Sequence, residues 1–190
     1  MKIAESQVAL VTAGGRRVGA AIVRELHAAG DRVIIHCRDS HKEAMALAAE
    51  LNAQRSDSVD VLRADLKNAA ERETLIVNAT HRWGRLDALV NNASTFYPTP
   101  LGSVSDATWN DLIDVNLKAP FFLAQAAFHA LAENEGSIVN VVDIYAEHPL
   151  KGSPVYSIAK AGLLALTRSL AQELGPKVRV NAVSPGAILF

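Results

Sequence analysis

Three side chains that could act together in proton transfer lie within residues 143–160. Tyr156 and Lys160 are four residues apart at the start of a helical pattern, so they share one helix face and can reach a common ligand. An ammonium group beside a phenol favours the phenolate and lowers the phenol's pKa, which would make Tyr156 a usable proton donor near neutral pH. Asp143 follows a strand pattern, where side chains of a parallel sheet project into a ligand crevice. The spacing therefore indicates one acid, one phenol and one cation at a single reacting centre.

That spacing alone does not establish a catalytic site. A Tyr and a Lys four residues apart are more often a solvated helix face, and an Asp after a strand is more often a turn former. The elements around these residues have to decide between the two interpretations.

Short apolar strand patterns alternate with longer helical ones along the whole chain. Apolar runs without polar alternation, separated by helices, predict a parallel sheet covered on both faces, which is a doubly wound α/β (Rossmann) fold. The strands are expected at residues 8–11, 32–35, 59–62, 88–90, 137–142 and 178–180, and the helices at 18–29, 42–54, 70–83, 109–131 and 156–174. Residues 40–43 have the form of a capping box that opens the second helix, and Gly30, Gly84 and Gly175 are expected to end helices.

Composition limits the possible functions. A chain of 190 residues is expected to form one domain, and a net charge of -1 gives no electrostatic footprint for nucleic acid or an anionic membrane. The only cysteine, Cys37, excludes an internal disulfide, and the six scattered histidines show no metal-ligand spacing. Residues 1–7 lack the apolar segment of a signal peptide, and no run reaches membrane-spanning length. We therefore expect a globular cytoplasmic protein without a metal site.

The first strand-to-helix turn is expected to bind phosphate. Residues 12–19 read Thr-Ala-Gly-Gly-Arg-Arg-Val-Gly, and glycines there let backbone amides approach a pyrophosphate at the positive end of a helix. An ordinary strand-to-helix turn is the alternative, but the first βα turn of such a sheet favours nucleotide binding. Arg16 and Arg17 add charge for an extra phosphate.

The end of the second strand predicts which dinucleotide is bound. An acidic residue there would hold the ribose 2′-hydroxyl of NAD, whereas an arginine accommodates the 2′-phosphate of NADP. Cys37 stands where the acid is expected and Arg38 follows it. Asp39 argues the other way, but we expect it to point outward beside the next helix cap. A solvated surface charge is the alternative for Arg38; His36 and the arginines of the turn favour NADP.

Together these motifs resemble the short-chain dehydrogenase/reductase superfamily across essentially the whole chain. They occur in that superfamily's order: the glycine turn, Asp65-Leu66, Asn91-Asn92-Ala93-Ser94, Asn116, Tyr156-x-x-x-Lys160 and Ser184-Pro185-Gly186. The resemblance implies that Tyr156 donates the proton, Lys160 binds the nicotinamide ribose and lowers the tyrosine's pKa, and Asn116 holds a relay water. It also implies an NADP(H) site formed by Gly14, Arg16, Arg17, Val18, Gly19, His36, Arg38, Ser40, Asp65, Leu66, Asn91, Ala93, Ser94, Tyr156, Lys160, Pro185 and Gly186.

A proline gives Asn116 a physical argument of its own. Pro120 lies four residues later, and its ring clashes with the carbonyl four residues back, which is that of Asn116. The carbonyl is therefore expected to be free at a kink, where it could accept from a water. A merely bent helix is the alternative.

Departures from the general pattern are similar to those of the pteridine reductases. The superfamily usually has glycine where this chain has Ala13 and Arg17, and its catalytic serine is replaced by Asp143. Pteridine reductases share an arginine-rich turn and an Asp ahead of Tyr-x-x-x-Lys, and residues 91–101 are similar to theirs. In that branch, an aromatic at the Phe96 position stacks on the pterin and the residue at Ser94 hydrogen-bonds near it.

The resemblance implies an NADPH-dependent reductase of pterins, with dihydrofolate as a further candidate substrate. Its catalytic residues would be Asp143, Tyr156, Lys160 and Asn116, and its substrate-binding residues Ser94, Phe96, Asp143 and Tyr156. Two alternatives stay open: a carbonyl reductase for 3-oxoacyl thioesters or sugars, and a catalytically silent NADP-binding protein. The resemblance further implies a homotetramer. The superfamily normally continues beyond Pro185-Gly186 with a substrate lid and a further strand, so we expect the 190 residues to lack that part.

Overall fold

The computed structural model describes residues 6–186. Residues 1–5, which carry most of the segment considered for a signal peptide, lie outside the described residues. Within 6–186, no helix combines the length and the apolar character needed to cross a membrane.

A six-stranded parallel sheet forms the centre of the protein. Its strands lie in the order β3-β2-β1-β4-β5-β6, so the direction of winding reverses between β1 and β4. This reversal opens a crevice at the carboxyl ends of those two strands, which is where ligands bind in open α/β sheets. The predicted doubly wound fold is confirmed. The strands are β1 (Val8–Val11), β2 (Arg32–Cys37), β3 (Val59–Arg63), β4 (Ala88–Asn91), β5 (Ser137–Val141) and β6 (Arg179–Val183).

Alternate residues of each strand face two separate apolar clusters. On β1, Leu10 packs with the cluster under α3 and α5, whereas Val11 packs with the cluster under α1 and α2. Burial on both faces explains why the strand sequence is continuously apolar. The helices are α1 (Arg17–Ala28), α2 (His41–Gln54), α3 (Ala69–Trp83), α4 (Asp106–Ile113), α5 (Ala119–Glu133) and α6 (Pro154–Leu174), with a 3₁₀ turn at Ile144–Ala146.

The helix predicted at 109–131 is present, but its middle is not α-helical. A π-helical turn at Asp114–Lys118 separates α4 from α5, and the backbone N–H of Ala119 donates to the carbonyl of Asp114, five residues back. Pro120 explains the widening, because its ring excludes an ordinary α turn at this position. The extra residue rotates the Asn116 side chain into the interior, where it is fully buried.

One predicted helix cap is wrong and one predicted helix end is confirmed. The capping box at residues 40–43 does not form, because the Ser40 side chain makes no capping hydrogen bond. Side-chain caps occur instead at Asn68, which accepts from the N–H groups of Ala70 and Glu71, and at Ser105. Gly84 ends α3 with φ 74°, a left-handed conformation that favours glycine.

Candidate active site

A cleft of about 630 Å³ lies over the crevice between β1 and β4. Its wall is formed by the first βα turn, the loops after β4 and β5, the start of α6 and the segment after β6. The sequence-predicted residues that it gathers are Arg16, Arg17, Val18, Gly19, Ser40, Ser94, Phe96, Asp143, Tyr156, Lys160, Pro185 and Gly186.

The carboxylate of Asp143 faces the phenol of Tyr156. The Tyr156 hydroxyl donates to Oδ2 of Asp143 over 2.8 Å, and Oδ1 of the same carboxylate accepts from the backbone N–H of Tyr145 over 3.0 Å. The 3₁₀ turn that follows β5 supplies this second contact and so fixes the orientation of the carboxylate. An acid in place of the superfamily's serine therefore touches the phenol directly.

Lys160 lies one helical turn beyond Tyr156 on α6 and is 2 % exposed. Its Nζ donates to the carbonyl of Val141 over 2.9 Å and lies 5.7 Å from the centroid of the Tyr156 ring. Burial lowers the pKa of this ammonium to about 8, against an opposing contribution from Asp143. The shared helix face that the spacing predicted is thus present, and it is closed off from solvent.

The pKa of Tyr156 is shifted opposite to the sequence expectation. Burial raises it, and the hydrogen bond to Asp143 and that carboxylate's charge raise it further. The nearby Ser94 side chain lowers this pKa, without reversing the shift. The reason is geometric: the carboxylate is in contact with the phenol oxygen, whereas the ammonium is engaged by a backbone carbonyl. In this arrangement the phenol keeps its proton.

Asn116 clamps the loop that follows β4. Its Nδ2 donates to the carbonyls of Thr95 and Leu112 over 2.8 and 2.9 Å, and its Oδ1 accepts from the Ser94 hydroxyl over 2.7 Å. The expected free backbone carbonyl stays a prediction. The side chain, by contrast, has a visible effect, because it holds Ser94 beside Tyr156.

Phe96 offers an aromatic surface at the mouth of the cleft. Its ring centroid lies 4.8 Å from that of Tyr156 with the planes at 74°, an edge-to-face arrangement favoured between aromatic rings. The side chain is 52 % exposed, so one face of the ring can receive a flat ligand.

The glycine turn forms although two of its usual glycines are replaced. Ala13 and Arg17 adopt φ values of 50° and 51°, in the left-handed region that these positions demand. Gly19 cannot be replaced in this way, since a Cβ there would lie 2.3 Å from the carbonyl oxygen of Ala13. This close approach of backbone to backbone is the cradle that a pyrophosphate requires.

His36 makes hydrogen bonds through both of its ring nitrogens. It is 2 % exposed, its Nδ1 accepts from the N–H of Ala13 over 3.1 Å, and its Nε2 lies 3.0 Å from the carbonyl oxygen of Ala64. The carbonyl requires a proton on Nε2 and the amide requires none on Nδ1, so the ring is neutral, and burial lowers its pKa. The carbonyl of His36 also accepts from the N–H of Gly14. His36 therefore joins the turn to the sheet, and its predicted contact with the cofactor stays a prediction.

The far end of the cleft continues past the tip of β2. A hollow there is lined by His36, Arg38, Ser40, Asp65, Leu66, Ala93 and Ser94, among others. Asp39 points outward beside the α2 cap, as expected, with its side chain 66% exposed, and its Oδ2 accepts from Nε of Arg38 over 2.7 Å. Arg38 is thus present at the predicted place, but it is paired with its neighbour.

Asn91 belongs to the core beneath the cleft. Its Nδ2 donates to Oδ1 of Asn140 on β5, and Asn140 in turn donates to Thr167 on α6. The next residue, Asn92, lines the cleft instead and donates to the carbonyls of Thr12 and Ala13.

Sequence reasoning missed Thr12, Asn92 and Tyr145. The Thr12 hydroxyl donates to the carbonyl of Val90 and accepts from the N–H groups of Asn92 and Ala93, so it joins the turn after β1 to the loop after β4. A polar residue ending an otherwise apolar strand was the available signal. Among residues 6–186, no group of three His, Cys, Asp or Glu side chains is gathered as a metal site would require.

Comparison with known proteins shows the family to which the chain belongs. The short chain dehydrogenase family profile matches residues 7–189. Pteridine reductase 1 of Leishmania tarentolae is 41% identical over 94% of this chain and 75% of its own length. A probable galactose dehydrogenase of Rhizobium meliloti is 37% identical, over 95% of this chain and 71% of its own. The 3-oxoacyl-[acyl-carrier-protein] reductase of Synechocystis is 35% identical, over 96% and 74%.

Proposed function

Because the chain belongs to the short-chain dehydrogenase family of oxidoreductases, we propose that it is an NADPH-dependent reductase of pterins, including oxidised pterins, dihydropterins and dihydrofolate. The observation that carries the proposal is the 2.8 Å hydrogen bond from Tyr156 to Asp143. The similarity to pteridine reductase 1 of Leishmania tarentolae supports the same substrate class.

The chemistry of the substrate accounts for the acid. A ketone reductase needs a neutral hydroxyl to hold a carbonyl oxygen while negative charge develops on it. Reduction of a pterin C=N bond requires a proton on nitrogen instead. Asp143 suits that role, since it contacts the phenol directly and is only half-buried, so it can pass a proton from solvent to the Tyr156 oxygen.

Each remaining catalytic residue has a defined role. Tyr156 gives its proton to a ring nitrogen and is resupplied through Asp143. Lys160, with its ammonium within 5.7 Å of the phenol ring, stabilises negative charge on the phenol oxygen during transfer and binds the ribose. Asn116 positions Ser94. The bound nicotinamide supplies the hydride.

The aromatic mouth of the cleft suits a flat heterocycle. Phe96 is half-exposed and braced edge-on by Tyr156, so one face can stack on a pterin ring. Offset stacking adds roughly 0.5–1.5 kcal/mol beyond area burial. A non-planar acyl chain or sugar gains less from such a platform.

The dinucleotide is placed by the turn and by the tip of β2. Gly19 allows the close approach that a pyrophosphate needs, and Arg38 lies beside the hollow lined by Asp65, Leu66 and Ala93, where an adenosine 2′-phosphate would be held. The same fit supports residues 1–190 forming a single NADP-binding domain. A homotetramer in the cytoplasm, as the family resemblance implies, completes the proposal.

NADPH oxidation by the full chain tests the proposal. A dihydropterin, dihydrofolate and an acetoacetyl thioester should be compared at saturating NADPH. Turnover of the pterin and not of the thioester is expected, and Tyr156→Phe should lower kcat by about 10²–10⁴-fold while NADPH fluorescence reports unchanged cofactor binding. Equal turnover of all three, or an active Tyr156→Phe variant, would refute the assignment.

A 3-oxoacyl thioester reductase is the second candidate, favoured by the similarity to the Synechocystis reductase. It requires Asp143 to take the place of a serine in holding a carbonyl oxygen, which a carboxylate does poorly. Preferential turnover of the acetoacetyl thioester would select it, and cofactor binding without any turnover would select a silent NADP-binding protein.

A further inference from the structure

Arg38, the arginine expected to bind a 2′-phosphate, forms an ion pair with Asp39. Arg38 Nε and Asp39 Oδ2 are 2.7 Å apart, with side chains 48% and 66% exposed. The backbone of Arg38 is held in place by Arg63, whose Nε donates to the Arg38 carbonyl over 2.8 Å. Arg63 is opposite Cys37 in the pairing of β2 with β3, so both guanidinium groups lie at the same edge of the sheet.

Acidic groups outnumber basic ones around this edge. A pocket of about 520 Å³ opens there, and its charged lining residues are two arginines and three carboxylates: Arg38, Arg63, Asp39, Asp65 and Glu71. The carboxylate of Glu71 is itself engaged, since it accepts from the N–H of Asp65 over 2.6 Å. An incoming dianion therefore meets a site whose most suitable cation is already paired with a carboxylate.

We propose that Asp39 is a specificity-determining residue for the cofactor: its carboxylate competes with the ribose 2′-phosphate for the guanidinium of Arg38, and so restrains the preference for NADPH over NADH. This inference rests on the proposed use of NADPH. The carboxylate of Asp39 contacts Nε of Arg38, so the carboxylate and the phosphate oxygens compete for the positive charge of one guanidinium. NADH, which has a hydroxyl at that position, leaves the ion pair closed.

The opposite role for Asp39 is also chemically reasonable. An acid at the tip of the second strand can accept from the ribose hydroxyls of NADH. The observed contact argues against it, because Oδ2 of Asp39 is directed at the neighbouring guanidinium. The two roles predict opposite effects of removing the charge, so one substitution separates them.

Binding of NADPH and NADH to Asp39→Asn, measured by titration calorimetry without substrate, tests the proposal. Release of an exposed ion pair is expected to tighten NADPH binding about fivefold and to leave NADH binding within about twofold. The gain in NADPH affinity should be absent from the double variant Arg38→Ala and Asp39→Asn, because that variant has no Arg38 guanidinium to bind the phosphate. It should also shrink at about 0.5 M salt, where exposed charges are screened.

Asp57→Asn is the matched control, since Asp57 is also an exposed aspartate paired with an arginine, Arg82, but lies away from the cleft. It should leave both dissociation constants unchanged. Unchanged NADPH binding in Asp39→Asn, or weaker NADH binding, would overturn the proposal. Because these titrations involve no pterin, failure of pterin turnover would refute the proposed function without deciding the role of Asp39.

Discussion

The catalytic end and the adenosine end of the cleft differ in the burial of their charged side chains. At the catalytic end, Lys160 is 2 % exposed and Tyr156 6 %, and both are held by hydrogen bonds to fixed partners. At the adenosine end, Arg38 and Asp39 are about half exposed and hold mainly each other. Burial strengthens electrostatic interactions, whereas exposed ion pairs contribute little. Changes at the catalytic end should therefore alter chemistry by orders of magnitude, and changes at the adenosine end should alter selection by small factors.

The largest effect is expected from exchanging the acid for the family's usual hydroxyl. Asp143→Ser removes the group that contacts the phenol, and we expect pterin turnover to fall about 100-fold while turnover of an acetoacetyl thioester rises. Steady-state NADPH oxidation with both substrates measures the exchange. Asp57→Asn again serves as a charge control. If Asp143→Ser kept full pterin activity, pterin reduction would not require the carboxyl group of Asp143.

The protonation of Lys160, at the catalytic end, is expected to make activity depend on pH. Its pKa of about 8 means that the ammonium loses its proton as the pH rises through about 8, while the raised pKa of Tyr156 keeps the phenol protonated. We expect kcat/KM to decline with a midpoint near pH 8. Lys160→Arg, which stays charged throughout, should show no decline there. A wild-type profile that stays flat well above this midpoint would contradict the assignment.

The burial of Lys160 should also be visible in stability. In the unfolded chain the side chain keeps its ordinary pKa of 10.5, whereas the folded protein releases the proton near pH 8. Unfolding therefore takes up a proton between these values, so the free energy of unfolding rises with pH across that interval. Lys160→Met removes a burial cost of roughly 3 kcal/mol at neutral pH and a hydrogen bond worth about 1 kcal/mol. We expect a net gain of about 1–2 kcal/mol in urea unfolding together with lost turnover; a loss of stability would mean that the bond to Val141 outweighs burial.

The contrast between the two ends also explains what the sequence could predict. The fold followed from apolar runs, and the proximity of Asp143, Tyr156 and Lys160 followed from helical spacing and the end of a strand, whereas their roles were implied only by the family resemblance. The direction of the Tyr156 pKa shift could not be predicted, since it depends first on the burial of the phenol and then on the Asp143 carboxylate that touches its oxygen. The same limit applied to His36 and Asp39: their residue types did not predict that the His36 ring would accept from the N–H of Ala13, or that the outward Asp39 carboxylate would pair with Arg38.

A polar brace between the two ends predicts an intermediate effect. The Tyr97 hydroxyl donates to Oδ2 of Asp111 over 3.0 Å, and Oδ1 of Asp111 pairs with Lys67 over 3.0 Å. The brace thus ties the loop carrying Phe96 to the segment after β3. Tyr97→Phe should raise the KM for pterin about fivefold with little change in kcat, because the stacking platform loses its anchor.

Its control is Lys67→Met, which breaks the other half of the brace while leaving Tyr97 bonded to Asp111. A smaller rise in KM is expected, measured under the same conditions. A fall in kcat without a change in KM for Tyr97→Phe would show that the brace affects the chemical step rather than pterin binding. It would contradict the role proposed for the brace.

The smallest effect concerns the turn where the two ends meet. Ala13 holds φ at 50°, and an L-residue in this region costs about 1–2 kcal/mol, whereas glycine loses about 0.5–1 kcal/mol of backbone entropy. Ala13→Gly should therefore raise the free energy of unfolding by up to about 1 kcal/mol, as measured in urea. Ala53→Gly, in the right-handed helix α2 and also without a large side chain to lose, should lower it by about 0.5–1 kcal/mol. Changes of opposite sign in the free energy of unfolding at the two positions would show that the turn carries local strain. Equal losses of stability would mean that Ala13 adopts its conformation without cost, and that its contacts with His36 and Asn92 hold the turn.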